Sequence, residues 1–225
     1  MKIIASECVF RGHPDKIADQ ISDRILDECL TQDKNSRVAV ETLIKNNLIV
    51  LAGEVTTNAN ISYKNVALSV LKDLGYENLD NFEFIIEISK QSPDIALGVN
   101  KDGAGDQGIM YGFATSESKE LMPLPIVIVR KIAIKMDELT KEIPELFGKD
   151  GKCQVSIAYD ENDNPVKVTT IIVSQQTQPN VDREFYTSFI IEECLKKVIP
   201  SWLITGETKV LINPTGEFVK GGAYA

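Results

Sequence analysis

The sequence predicts an α+β protein built of two similar domains, each a mostly antiparallel sheet covered by helices on one face. An order of helix, hairpin, helix and strand occurs twice along the chain. Strand-like runs alternate apolar and polar residues, and amphipathic helical stretches recur between them.

In the first half, a helix is expected over residues 14–30. Pro14 suits a first helical turn, where its missing N–H costs nothing. Ile17, Ile21 and Ile25 give the helix an apolar stripe at steps of four. Residues 37–44 alternate like a strand, "KNN" turns, and residues 48–57 return as a second strand. Val66, Val70, Leu71 and Leu74 then recur at helical spacing, Gly75 stops that helix, and residues 82–89 close the set as a strand. The second half repeats the order. A helix around residues 126–141 precedes a strand at 153–159, a turn "DENDNP" and a return strand at 166–176. The amphipathic stretch "VDREFYTSFIIEECLKKVI" follows and ends at Pro200, and residues 208–214 form the closing strand. The domains are placed at residues 1–99 and 100–225, with the Gly-rich stretch 98–112 as the boundary.

The composition is that of a globular chain, with 43% hydrophobic, 25% charged and 7% aromatic residues in 225. Charged or amide side chains interrupt every apolar stretch, so no membrane-spanning segment is expected. The N-terminal apolar run is too short for a signal peptide. Cys8, Cys29, Cys153 and Cys194 lack paired metal-ligand spacing, and reduced, mostly buried thiols in a cytoplasmic protein are expected. A net charge of −9 argues against non-specific nucleic-acid binding. It leaves room for an anionic substrate where positive charges gather or a metal ion is present.

Four stretches carry possible chemistry. In "GHPDKIADQISDRILDECL", His13 is the only histidine, and Asp15, Asp19, Asp23 and Asp27 recur at steps of four. Like charges at that spacing destabilise a helix by about 0.2–0.5 kcal/mol per pair, so the row needs an offset. The helix N-terminus, Lys16, Arg24 or a bound cation can supply it. For Asp23 and Asp27 a solvated acidic face is the simpler reading. His13 with Asp15, beside a glycine and a helix start, reads as a site suited to magnesium and phosphate. "DGAGDQGIMYGFATSES" gathers glycines around Asp106, which describes either a ligand-approaching backbone or an ordinary turn. Glu41 and Glu54 sit inside apolar strands, where each is either paired or coordinating, or faces solvent at an edge. "NPTGEFVKGG" places Phe218 near a turn, where it stacks on a base or packs into the core.

Taken together, these stretches resemble the S-adenosylmethionine synthetase family. "GHPDKIADQISD" is similar to its N-terminal signature and "GAGDQGIMYGFAT" to its central one, with "VAVETLIK", "AGEVTT", "KQSPDI" and "INPTGEFVKGG" falling in family order. The likeness runs nearly end to end. It implies two of the three α+β repeats of that fold. It also implies a reaction in which methionine sulfur attacks the ribose C5′ of ATP and the triphosphate leaves and is hydrolysed. Substrates would be ATP and L-methionine, and cofactors Mg2+ and K+. Partners would be further copies, as a homodimer or tetramer, or a second synthetase chain in a hetero-oligomer. By motif, His13 and Lys152 would contact the triphosphate catalytically, and Phe218 would pack on adenine. Glu54, Gln91 and Asp106 would hold methionine, Asp15 magnesium, and Glu41 potassium.

Four departures from the family pattern bear on activity. Arg11 and Glu217 each reverse a usual charge, the gate-like segment 96–102 is short, and the sequence ends at "GGAYA", ahead of the family's third domain. The expectation is activity only with that domain or a partner chain. The alternative is a non-catalytic regulatory or structural subunit that binds a full-length synthetase.

Overall fold

The computed structural model describes residues 1–92 and 107–225. Asp106 and the segment 96–102 lie outside the described residues. The chain forms two compact units, Met1–His13 with Phe113–Ala225, and Pro14–Gly112. Each sheet is built on an antiparallel hairpin and carries helices, which is the α+β class the sequence predicts.

The unit Pro14–Gly112 begins with α1 (Pro14–Gln32), whose Ile17, Ile21, Ile25 and Cys29 are all buried. Strands β2 (Arg37–Lys45) and β3 (Leu48–Thr56) form the expected hairpin. Asn46 and Asn47 turn it with positive φ angles of 49° and 65°, which asparagine tolerates better than most residues. Helix α2 (Tyr63–Asp73) starts at Ser62, whose hydroxyl accepts the Asn65 N–H. β4 (Glu83–Ser89) returns parallel to β3, giving a sheet of order β2-β3-β4. Val40, Ile44, Ile49, Leu51 and Val55 are buried in this unit, where α1 packs on β2 and α2 on α1.

The other unit is built on a sheet of order β1-β5-β6-β7. Its strands are β1 (Lys2–Val9), β5 (Phe147–Tyr159), β6 (Pro165–Thr177) and β7 (Lys209–Ile212). β1, which local pattern did not announce, pairs antiparallel with β5, so the N-terminal strand belongs in space with the second half of the chain. Helix α3 (Leu124–Glu142) packs on β1 and β5, burying Ile128, Val129, Ile132, Met136 and Leu139. The helix expected before Pro200 is not uniform. α4 (Arg183–Ile190) widens into a π-turn over Ile191–Leu195 and ends after Lys196–Val198. The wide turn keeps Cys194, Leu195 and Ile199 in the core, and Ile199 is already extended, as a residue before proline prefers. All four cysteines are free thiols; Cys29, Cys153 and Cys194 are buried and Cys8 is half-buried. No described helix is long and apolar enough to cross a membrane.

Candidate functional site

Strand β5 is irregular where it matters. Its pairing with β6 jumps from Phe147–Thr177 to Gly151–Gln175, four steps on β5 against two on β6. Gly148, Lys149 and Asp150 therefore bulge out of the ladder. The Phe10 N–H donates to the Gly151 carbonyl at 2.8 Å, and the His13 N–H donates to the Phe10 carbonyl at 3.0 Å. A β-carbon on Gly12 would fall 2.3 Å from the Lys149 carbonyl oxygen, so only glycine lets the His13 turn approach the bulge this closely. Lys152 follows the bulge, exposed, and sits in register between Val9 of β1 and Ser174 of β6. With Glu7, Gln154, Ile172 and Ser174 it lines a shallow pocket of about 190 Å³.

Phe218 reaches the same bulge from the far end of the chain. Its carbonyl accepts the Thr177 N–H at 2.8 Å. Asp150, only 5% exposed, accepts the Gly222 N–H at 2.8 Å through Oδ2. A β-carbon on Gly221 would lie 2.9 Å from both Asp150 Oδ2 and Phe218 Cε2, which puts the ring beside that carboxylate. The turn to His13, the strand of Lys152 and the loop of Phe218 thus meet at one β5 bulge within one unit. Sequence reasoning missed Asp150. A single acid between "GK" and "GK" inside a strand was the available signal.

Asp15, Glu41, Glu54 and Gln91 belong to the other unit. Asp15 is exposed in the first turn of α1, and Asp19, Asp23 and Asp27 are exposed along the same helix. Lys16 pairs with Asp19 at 3.0 Å, and Arg24 pairs with Asp73 at 2.9 Å rather than with the row. Asp15 and Lys45 line a cleft of about 460 Å³ between the start of α1 and the end of β2. Glu41 lies opposite Ala52, and Glu54 is two residues further along β3, so both point to the sheet face away from α1. Glu54 is half-buried, whereas Glu41, on the edge strand β2, is exposed. Gln91 follows β4 half-buried, and its Oε1 is buried without a hydrogen-bond partner among the described residues.

The described residues hold no group of three His, Cys, Asp or Glu side chains spaced to bind a metal. Asp15, exposed on the cleft at the start of α1, offers a hard carboxylate oxygen of the kind magnesium takes alongside phosphate and water, and exposed Glu41 offers a single such oxygen.

This is a duplicated α+β protein with a glycine-lined bulge in β5 at which the turn to His13, the strand of Lys152 and the loop of Phe218 meet. Its residues 1–93 match the family profile of the S-adenosylmethionine synthetase N-terminal domain, and residues 101–218 match that of the central domain. The S-adenosylmethionine synthase of Akkermansia muciniphila is 42% identical over 241 aligned residues, covering 99% of this chain and 61% of that protein. The S-adenosylmethionine synthase of Syntrophobacter fumaroxidans is 44% identical over 234, covering 98% of this chain and 60% of that protein. The chain belongs to the S-adenosylmethionine synthetase family. It spans about three fifths of the length of these curated relatives, at 61% and 60%.

Proposed function

We propose that this chain takes part in forming S-adenosylmethionine from ATP and L-methionine. The carrying observation is the meeting of the His13 turn, the Lys152 strand and the Phe218 loop at the β5 bulge. In this reading the methionine sulfur lone pair attacks ribose C5′, the C5′–O5′ bond breaks, and its electron pair leaves with the triphosphate. Water then splits triphosphate into phosphate and diphosphate. No protein nucleophile is needed, so orientation and charge stabilisation supply the rate.

His13 would donate a hydrogen bond to the leaving oxygen, Lys152 would add positive charge on the phosphates, and Phe218 would pack on adenine. Glu54, Gln91 and Asp106 would hold methionine, Asp106 through its ammonium group. Asp15 would give one carboxylate oxygen to the magnesium that neutralises phosphate charge, and Glu41 one to potassium. The chain supplies few cations for a leaving triphosphate. Turnover is therefore proposed to need the remaining length of a synthetase, on the same polypeptide or another, in an oligomer. A second reading, a non-catalytic subunit docked on a complete synthetase, is favoured by one observation. Glu217 puts an exposed carboxylate next to Phe218.

The test is to incubate the chain with ATP, methionine, magnesium and potassium, alone and with a full-length relative inactivated at its own histidine. S-adenosylmethionine is quantified by chromatography. Product in the mixed sample that disappears with His13→Ala is expected. Product that survives His13→Ala supports the docked subunit instead, and robust product from the chain alone would contradict the need for further length.

A further inference from the structure

The side-chain amide of Gln176, at the end of β6, ties the β5 bulge to the loop that carries Phe218. Its Oε1 accepts the Asp150 N–H at 3.1 Å, and its Nε2 donates to the Val219 carbonyl at 2.8 Å. Parallel ties run beside it, from the Thr177 N–H to the Phe218 carbonyl and from the Gly222 N–H to Asp150 Oδ2, each 2.8 Å. Gln175 holds the other side of the bulge, donating from Nε2 to the Gly148 carbonyl at 2.7 Å and to the Gln176 carbonyl at 2.9 Å.

A primary amide suits this task because it carries an acceptor and a donor on one planar group. Glutamate would keep the acceptor and lose the donor, and methionine would lose both. The space above Gly148 is also committed. A β-carbon there would lie 2.4 Å from Gln176 Cδ and 2.5 Å from its Oε1. The amide therefore rests on the one bulge residue that has no side chain.

We propose that Gln176 is a positioning residue, which fixes the spacing between the strand bulge ahead of Lys152 and the loop bearing Phe218. Through that spacing it couples recognition of the base to recognition of the phosphates. The inference rests on the nucleotide reading of the site given above. Neither Gln176 nor Gly148 is assigned contact with substrate, so both act through Lys152 and Phe218.

Amide hydrogen exchange on the wild-type chain, Gln176→Met, Gln176→Glu and Gly148→Ala reads the coupling without any ligand. Losing one or two hydrogen bonds should speed exchange at Asp150 and at residues 219–222 by about tenfold in Gln176→Met. Amides of Val155, Ile157 and Ile171 should be unchanged. Gly148→Ala, which displaces the amide without altering it, should reproduce this pattern. Gln176→Glu should keep Asp150 protected and loosen only 219–222. Unchanged exchange at Asp150 and 219–222 would overturn the proposal, as would loss of protection across the whole sheet.

Affinities for ATP and for tripolyphosphate, measured on the same proteins, read the functional half. Gln176→Met should weaken ATP by about tenfold and tripolyphosphate by less than about twofold, because misplacement falls on the base. Equal weakening of both ligands would overturn the coupling of base to phosphate. A wild-type chain that binds neither ligand would sink the nucleotide reading, while exchange would still decide whether Gln176 sets the spacing.

Discussion

Asp33 shows what a single residue contributes outside the candidate site. Its carboxylate accepts the Asn58 N–H at 2.8 Å, the Asn35 N–H at 3.0 Å and the Asn58 amide at 3.1 Å. These bonds, the Asn58 N–H foremost, hold its pKa below the ordinary 3.8. A lowered folded pKa means the stabilisation is complete above the unfolded value and is lost as the pH falls through the folded one. Asp33→Ala should therefore lower the urea midpoint at neutral pH, and the gap to wild type should close as the pH drops below 3.8. A gap that persists unchanged into acid would show that the carboxylate's charge is not the cause. At this scale the sequence was partly legible. His13, Lys152 and Phe218 stand in recognisable motifs. The roles of Asp150 and Gln176 depend on chain segments that meet only after folding. Glu41 reads as an acid inside an apolar strand, yet β2 is an edge strand and the side chain is exposed.

At the scale of elements, α1 separates what periodicity can decide from what it cannot. Its stripe Ile17, Ile21, Ile25 and Cys29 is fully buried, as the spacing predicts, and its Asp row is solvated. Ile21→Ala should cost about 2–5 kcal/mol, the usual range for emptying a packed core position. Asp27→Ala should stay within about 0.5 kcal/mol of wild type. Urea melts of the two variants check this, and a large loss at Asp27 would mean the row is engaged in the fold. The hairpins were equally readable, because local alternation and the Asn46–Asn47 turn are properties of short segments. Three features were not. β1 pairs with a strand far along the chain, β4 and β7 run parallel to their neighbours, and the helix after Asp182 carries a π-turn. Each is decided by packing between distant segments rather than by local propensity.

For the whole molecule, the two sheets divide the candidate residues between them. The unit with β5 carries His13, Lys152 and Phe218, and the unit with β3 carries Asp15, Glu41, Glu54 and Gln91. The class of fold was legible because the pattern of helix, hairpin, helix and strand repeats. The assignment of the N-terminal strand to the second half was not, since no local pattern encodes its partner. With about three fifths of a relative's length, the chain is proposed to hold the base and part of the phosphates, while turnover draws on the rest of a synthetase. The most direct measurement is calorimetric titration of the purified chain with ATP and magnesium, alongside Lys152→Ala and Phe218→Ala. Saturable one-site binding that each variant weakens by about tenfold or more is predicted, the loss of one charge-assisted or stacking contact. Absence of saturable binding, or binding indifferent to both substitutions, would contradict the account of the β5 bulge as a nucleotide site.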